Sequence, residues 1–337
     1  MDQRERRLSA WMERNVEGFS GPLQLHRFTG GQSNPTWRVE TRDRSFVLRQ
    51  KPVGNTLPSA HAVDREYRVM GALRGSAVPV PEVLALCRDE AVMGSMFFVM
   101  EHVPGRVFFD PQLPGLPASE RAAIFDSMNA AIAALHSVDP LAAGLSDYGR
   151  HGGYVERQIA RWTRQYRASE TVSIPAMEAL IDWLPRNAPD GEEEIRIAHG
   201  DFRLDNLIFH PIEPKVVAVL DWELSTLGCP YADFAYNVMA WRVPPGLFRG
   251  LGGVDVAALG IPTEEAYVAR WCERTGRERP DRFEFYIVLS LFRIAAIIQG
   301  IARRALDGTA ADPSAAEIGA KAGPLAEIAW DMTRNLR

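Results

Sequence analysis

Asp201 and Asn206 lie five positions apart in the turn-like segment HGDFRLDN, and Asp221 follows fifteen later, directly after the apolar run VVAVL. With His199, these residues sit on short loops between apolar runs, where strands fix positions and loops leave polar groups accessible. A carboxylate such as Asp201 can orient a hydroxyl and take its proton. The Asn206 amide oxygen, paired with the Asp221 carboxylate, is the hard oxygen set that suits magnesium. Moving the γ-phosphoryl of a nucleotide needs positioning and neutralised charge more than covalent help, so phosphoryl transfer is the indicated chemistry. Asx-turns capping a hairpin would use the same residue types. The order base, amide, metal carboxylate after a hydrophobic strand favours the kinase-type reading.

The run HGDFRLDNLIF, followed by LDWE and GCPYADFAYN, resembles the aminoglycoside phosphotransferase and choline kinase-like superfamily. His199-Gly200-Asp201 with Asn206 matches that family's H-G-D-x-x-x-x-N, where protein kinases read H-R-D-x-x-x-x-N, and Asp221-Trp222-Glu223 stands in place of D-F-G. The wording is most similar to kinase-like domains that occur alone in bacteria or fused to acyl-CoA dehydrogenases. Cys229 departs from the pattern, where relatives commonly carry Asp. The resemblance implies an α+β, two-lobed protein-kinase-like fold. Residues 1–103 would form a nucleotide-binding lobe of five strands and one helix, and residues 104–337 a mostly helical lobe with the catalytic loop and acceptor site. It further implies ATP or GTP with Mg2+, Asp201 as the base, and Asn206 and Asp221 as metal ligands. Glu223 would either join the metal or face away, and Asp233 would brace the catalytic loop through its backbone or simply cap a helix.

Residues 23–28, 36–40 and 45–49 read as strands from their alternation. The first two are joined through Gly30, Gly31, Gln32, Ser33 and Asn34. Adjacent glycines let a backbone approach phosphate closely, as a kinase glycine-rich loop does, although glycine pairs between strands also make plain hairpin turns. FVLR aligns with the kinase V-A-I-K and puts Arg49 at the phosphate-contacting position, where choline kinase-like relatives often carry Arg; Lys51 is the alternative. Val63, Tyr67, Met70 and Leu73 recur at helical spacing, and Glu66 on that helix is the expected ion-pair partner of Arg49 by analogy with the kinase αC Glu. Two further strands joined by a turn at 89–95 end at Glu101-His102-Val103-Pro104-Gly105. There the family's hinge would offer the backbone of Glu101 to Val103 to the purine edge.

Beyond the hinge, Ser119 is expected to cap a central helix carrying Ile124, Met128, Ile132 and Leu135. His136 is assigned no chemistry. Arg157, Arg161 and Arg164 form a stripe that is a solvated face or a grip on an anionic acceptor, and Glu192 to Glu194 read as loop solubility. The Pro/Gly-rich segment after Trp241 would shape acceptor entry. The apolar stretch from Phe283 is broken by Ser290, Arg293 and Gln299 and reads as a buried core helix, with no membrane span and no signal peptide.

Composition agrees with small-molecule work. The 337 residues are 46% hydrophobic and 24% charged with net charge −5, which offers no electrostatic footprint for nucleic acid. Cys87, Cys229 and Cys272 are far apart without a C-x-x-C pair, as expected in a reducing cytoplasm. The expected partner is a hydroxyl-bearing small molecule: an anionic metabolite such as a hydroxyacyl-CoA or hydroxy acid, or else an aminoglycoside. A nucleotide-binding pseudokinase is the non-enzymatic alternative.

Overall fold

The computed structural model describes residues 2–28, 34–53, 62–189, 194–310 and 312–336. Helix α1 (Gln3–Asn15) opens on a capping box in which Asp2 and Glu5 each accept the other's backbone N–H. An antiparallel sheet follows, built from β1 (Gln24–Arg27), β2 (Thr36–Glu40), β3 (Ser45–Gln50), β4 (Val83–Cys87) and β5 (Phe97–Glu101) in the order β1-β2-β3-β5-β4. Helix α2 (Val63–Leu73) lies between β3 and β4 in the chain.

Strand alternation decides what each sheet face does. Phe46, Leu48, Phe97 and Val99 pack with Leu8, Trp11 and Met12 of α1, whereas Val47, Phe98 and Met100 pack with Val69, Met70 and Leu73 of α2. Arg49 is in step with Val47 and therefore projects toward α2, opposite Phe98 in the register. The expected turn at 89–95 contains a short helix, α3 (Glu90–Met93), because the Asp89 carboxylate accepts the Ala91 N–H and starts a helical turn.

The sheet ends at the hinge, where Arg106 and Phe209 exchange both backbone hydrogen bonds. A Cβ on Gly105 would stand 2.2 Å from the Phe209 carbonyl oxygen, so only glycine permits that approach. Helices α4 (Ala118–Ser137), α5 (Tyr154–Ser169) and α6 (Pro175–Asn187) follow. Ser119 is not the cap of α4. Pro117 occupies that position with its ring-fixed φ, and its carbonyl accepts from Glu120 and Arg121.

Two small antiparallel ladders come next: β6 (Arg196–Ala198) with β9 (Thr226–Gly228), and β7 (Leu207–Phe209) with β8 (Val216–Val219). The rest is helical, with α7 (Pro230–Val238), α8 (Val256–Leu259), α9 (Glu264–Thr275), α10 (Phe283–Leu306), α11 (Ala315–Gly319) and α12 (Ala322–Thr333). Helix α10 is long and apolar enough to cross a membrane, yet its most apolar window is 78% buried among its neighbours, as a core helix is.

Candidate active site

The two ladders bring the loop after β6 against the loop after β8. The Leu220 N–H donates to the Asn206 carbonyl (2.8 Å), and His199 Nε2 donates to the Leu220 carbonyl (2.9 Å). His199 Nδ1 accepts the Asp201 N–H at 3.2 Å, which assigns the neutral tautomer with its proton on Nε2. Burial holds the His199 pKa below its ordinary value, against the pull of Asp233 and Asp201. Gly200 has φ +83°, and a Cβ there would lie 2.6 Å from the Leu224 carbonyl oxygen, so the two loops touch at a glycine. Asp221 itself is left-handed (φ 63°).

Asp201 and Asn206 meet directly. The Asn206 Nδ2 donates to the Asp201 carbonyl (2.9 Å) and to its Oδ2 (3.0 Å), which turns the amide so that Oδ1 is left for a cation. The Tyr236 hydroxyl donates to Asp201 Oδ1 at 2.6 Å, and Arg203 Nη2 lies 3.3 Å from Oδ2. Burial above all raises the Tyr236 pKa, keeping the phenol a donor.

Asp233 sits in the first turn of α7 and braces the loop. Its Oδ2 accepts the His199 N–H and its Oδ1 the Gly200 N–H, both at 2.8 Å. His136 Nε2 donates to the same carboxylate (3.0 Å), while Nδ1 accepts from Trp271 Nε1 (3.2 Å). Burial opposes the Asp233 charge, but His136, His199 and the Gly200 N–H together hold its pKa below the ordinary carboxylate value. His136 is thus part of the brace and not a passive core histidine.

From the sheet, Arg49 reaches both halves of the site. Its Nε pairs with Glu66 Oε2 at 2.8 Å, its Nη2 with Asp221 Oδ1 at 2.5 Å, and Glu223 Oε2 stands 3.9 Å from Nη2. Glu223 therefore faces the ion-pair cluster and is not turned away. Burial works against the Arg49 charge, yet Glu66 and then Asp221 outweigh it and hold its pKa above the ordinary value. Burial lifts Glu66 to about 7 despite Arg49, with Asp221 and Glu223 adding repulsion. Lys51 forms no ion pair among the described residues, and its backbone N–H donates to Met96.

Gly30, Gly31, Gln32 and Ser33 lie outside the described residues. Asn34 is buried, and its Nδ2 donates to Glu66 Oε1 at 2.8 Å. It supports the Arg49–Glu66 pair. At the hinge, the Glu101 N–H is spent on the Glu82 carbonyl and Glu101 Oε1 accepts the Glu82 N–H. Glu101 therefore ties down the end of the sheet, and its own N–H is not free for a purine. The Val103 N–H has no partner among the described residues.

Asn206 Oδ1, the Asp221 carboxylate and the adjacent Glu223 fit a hard divalent cation. Among the described residues no cluster of three His, Cys, Asp or Glu side chains could hold a metal unaided. Such a donor set suits magnesium, which keeps waters and takes further ligands from phosphates.

Next to Asp201 opens a pocket whose wall includes Phe125, Met128, Phe248, Arg203, Arg249 and Tyr236. Arg249, on the Pro/Gly-rich segment, is 3.0 Å from Asp205 Oδ2, and Arg203 is 3.4 Å from Oδ1 of the same carboxylate. The segment expected to shape acceptor entry does line this pocket, whereas the α5 arginines do not. Arg157 turns to the carbonyls of Gly152 and Arg150. Of the acidic run, Glu194 pairs with Arg277 at 2.7 Å.

Residues 24–283 match the family described as phosphotransferase enzymes. The chain belongs to the phosphotransferase enzyme family. Over 315 residues, 93% of this chain and 29% of the relative, it is 49% identical to acyl-CoA dehydrogenase family member 10 of Mus musculus. It is 40% identical to family member 11 of Rattus norvegicus over 337 residues, covering 98% of this chain and 43% of that one. The phosphotransferase chain thus spans less than half the length of these two relatives. A crystal structure of a candidate aminoglycoside phosphotransferase from Ralstonia eutropha is 52% identical, with 98% of both chains covered and a TM-score of 0.90. Choline kinase from Cryptosporidium parvum shares the fold at 11% identity and a TM-score of 0.69, covering 98% of this chain and 96% of that one.

Proposed function

We propose that this phosphotransferase moves the γ-phosphate of ATP or GTP, with magnesium, to a hydroxyl of an amphipathic anion such as a hydroxy acid or hydroxyacyl thioester. The observation that carries the reading is the meeting of Asp201, Asn206, Asp221 and Arg49 from three separate segments. Asp201 would orient the acceptor hydroxyl and take its proton as the hydroxyl oxygen bonds to γ-phosphorus and the bridging bond to the leaving diphosphate breaks. Asn206 and Asp221 would hold the magnesium, with Glu223 beside them; when bound, it neutralises charge on the β- and γ-phosphate oxygens. Arg49, anchored by Glu66, would meet the phosphates, Gly30 to Asn34 would cover them, and the Val103 N–H would meet the base. Residues 1–103 would thereby serve the nucleotide, and residues 104–337 the acceptor.

The pocket beside Asp201 supports this acceptor class. Its wall is aromatic and thioether in character, and its carboxylate, Asp205, is already paired with Arg249, as Asp201 nearby is with Arg203. A polycationic aminoglycoside would need free carboxylates there, whereas the apolar wall suits an aliphatic acceptor. Phosphate transfer from γ-labelled ATP to hydroxy acids, their thioesters and aminoglycosides tests this, with Asp201→Asn as blank. Transfer to a hydroxy acid or thioester is expected; transfer to aminoglycosides alone would overturn the acceptor assignment, and magnesium-dependent nucleotide binding without turnover would favour the pseudokinase.

A further inference from the structure

Arg293 stands near the middle of α10 and is only 9% exposed, yet no carboxylate lies within 4 Å of it among the described residues. Buried charges are ordinarily paired, so such an arginine calls for another use. Its Nη2 donates to the carbonyl of Gly200, the residue immediately before Asp201. Its guanidinium carbon also stands 4.7 Å from the ring centroid of Tyr236 and 5.2 Å from that of Trp162, within cation–π range.

Both contacts lead to the same carboxylate. The carbonyl that Arg293 holds belongs to the Gly200–Asp201 peptide, whose N–H is held by His199 Nδ1. Turning that peptide over would aim its carbonyl at the His199 lone pair and its N–H at a guanidinium. Gly200, being glycine, imposes little barrier of its own to such a turn. The second route runs through Tyr236, whose ring lies against Arg293 and whose hydroxyl donates to Asp201 Oδ1.

We propose that Arg293 is a positioning residue for Asp201: it locks the Gly200–Asp201 peptide in one orientation and steadies the tyrosine that aims the carboxylate. The inference rests on the reading of Asp201 as the base. It assigns catalytic consequence to a charge that otherwise interrupts an apolar core helix.

The test compares Arg293→Met, Arg293→Lys, Tyr236→Phe and the Met/Phe double variant, with magnesium-ATP hydrolysis to water as the probe reaction. Loss of a hydrogen bond to a charged group predicts a fall in kcat of about 10- to 100-fold for Arg293→Met, with KM for ATP unchanged. Arg293→Lys should recover part of the loss. The double variant should lose less than the product of the single losses, because both act through one carboxylate. Amide exchange read by mass spectrometry should quicken in residues 199–206 of Arg293→Met and stay unchanged in α12. Unaltered kcat in Arg293→Met, or equal losses in kcat and ATP affinity, would overturn the proposal. Should Arg293→Met not fold, Arg293→Lys decides, since full activity and unchanged exchange there would also overturn it. Asp201→Asn separates the two levels: full activity in that variant removes the base, whereas an inactive Asp201→Asn beside a fully active Arg293→Met removes only the clamp.

Discussion

Arg49 Nη2 and Asp221 Oδ1 lie 2.5 Å apart although 172 positions separate the residues in the chain. This contact joins the sheet to the loop after β8, and the same guanidinium holds Glu66 on α2. One side chain thereby sets the spacing between the segments proposed to handle phosphate and metal.

Arg49→Met would leave Glu66, Asp221 and Glu223 facing one another without their cation. Removing one member of a buried pair costs about 3 kcal/mol. A loss of that order is expected in urea unfolding, together with loss of magnesium-nucleotide binding. Arg49→Lys keeps the charge but not the fork and should fall between the two. Parental stability in Arg49→Met would contradict this.

Glu66, lifted to about 7, gives the pair a pH dependence in the neutral range. Below that pH the carboxyl takes a proton and Arg49 loses its anchor. The kcat/KM for nucleotide, which reports the free enzyme, should therefore decline as pH falls through about 7. Glu66→Gln should sit on the low plateau at every pH. A profile in Glu66→Gln that still shows this step would assign it to another group.

For stability Glu66 acts in one sense, since its raised pKa lets the folded chain take the proton first as pH falls below about 7, whereas Asp233 and His199 lose stability in acid. The Asp233 pKa in the folded chain lies below its ordinary value of 3.8, so its contribution is present above 3.8 and is lost as pH falls through the lower folded value. His199 is held below 6.5, so the unfolded chain takes that proton first and stability declines as pH drops below 6.5. Asp233→Asn should flatten the loss below pH 3.8 and leave the decline below 6.5. Unfolding free energies measured between pH 3 and 8 give both limbs.

Gly200→Ala places a side chain at φ +83° and against the Leu224 carbonyl. The left-handed conformation alone costs about 1–2 kcal/mol, and the collision must be relieved by moving the loop that carries Asp221. Reduced thermal stability together with reduced turnover is expected; parental behaviour in both would show that the loops are not in register contact.

Much of this site was legible where the pattern is local. The alignment of FVLR with the kinase V-A-I-K singled out Arg49, and the spacing of Asp201, Asn206 and Asp221 around an apolar run pointed all three at one site. Helical spacing found α2, and the analogy with the kinase αC Glu singled out Glu66 on it. Residues brought in from distant helices were not legible: His136, Tyr236 and Arg293 come from α4, α7 and α10, and no spacing links them to Asp201. Arg293 did leave a trace, as a charge inside an apolar helix. A local rule also misled where two groups compete for one job, since Pro117 displaced Ser119 as cap.

Whether Asp201 is the base in a phosphoryl transfer is measured most directly in Asp201→Asn. Magnesium-dependent ATP binding, followed by thermal shift, should persist while turnover falls roughly 10²- to 10⁴-fold, the range for loss of a general base. Turnover equal to that of the parent protein, with nucleotide binding intact, would contradict the account.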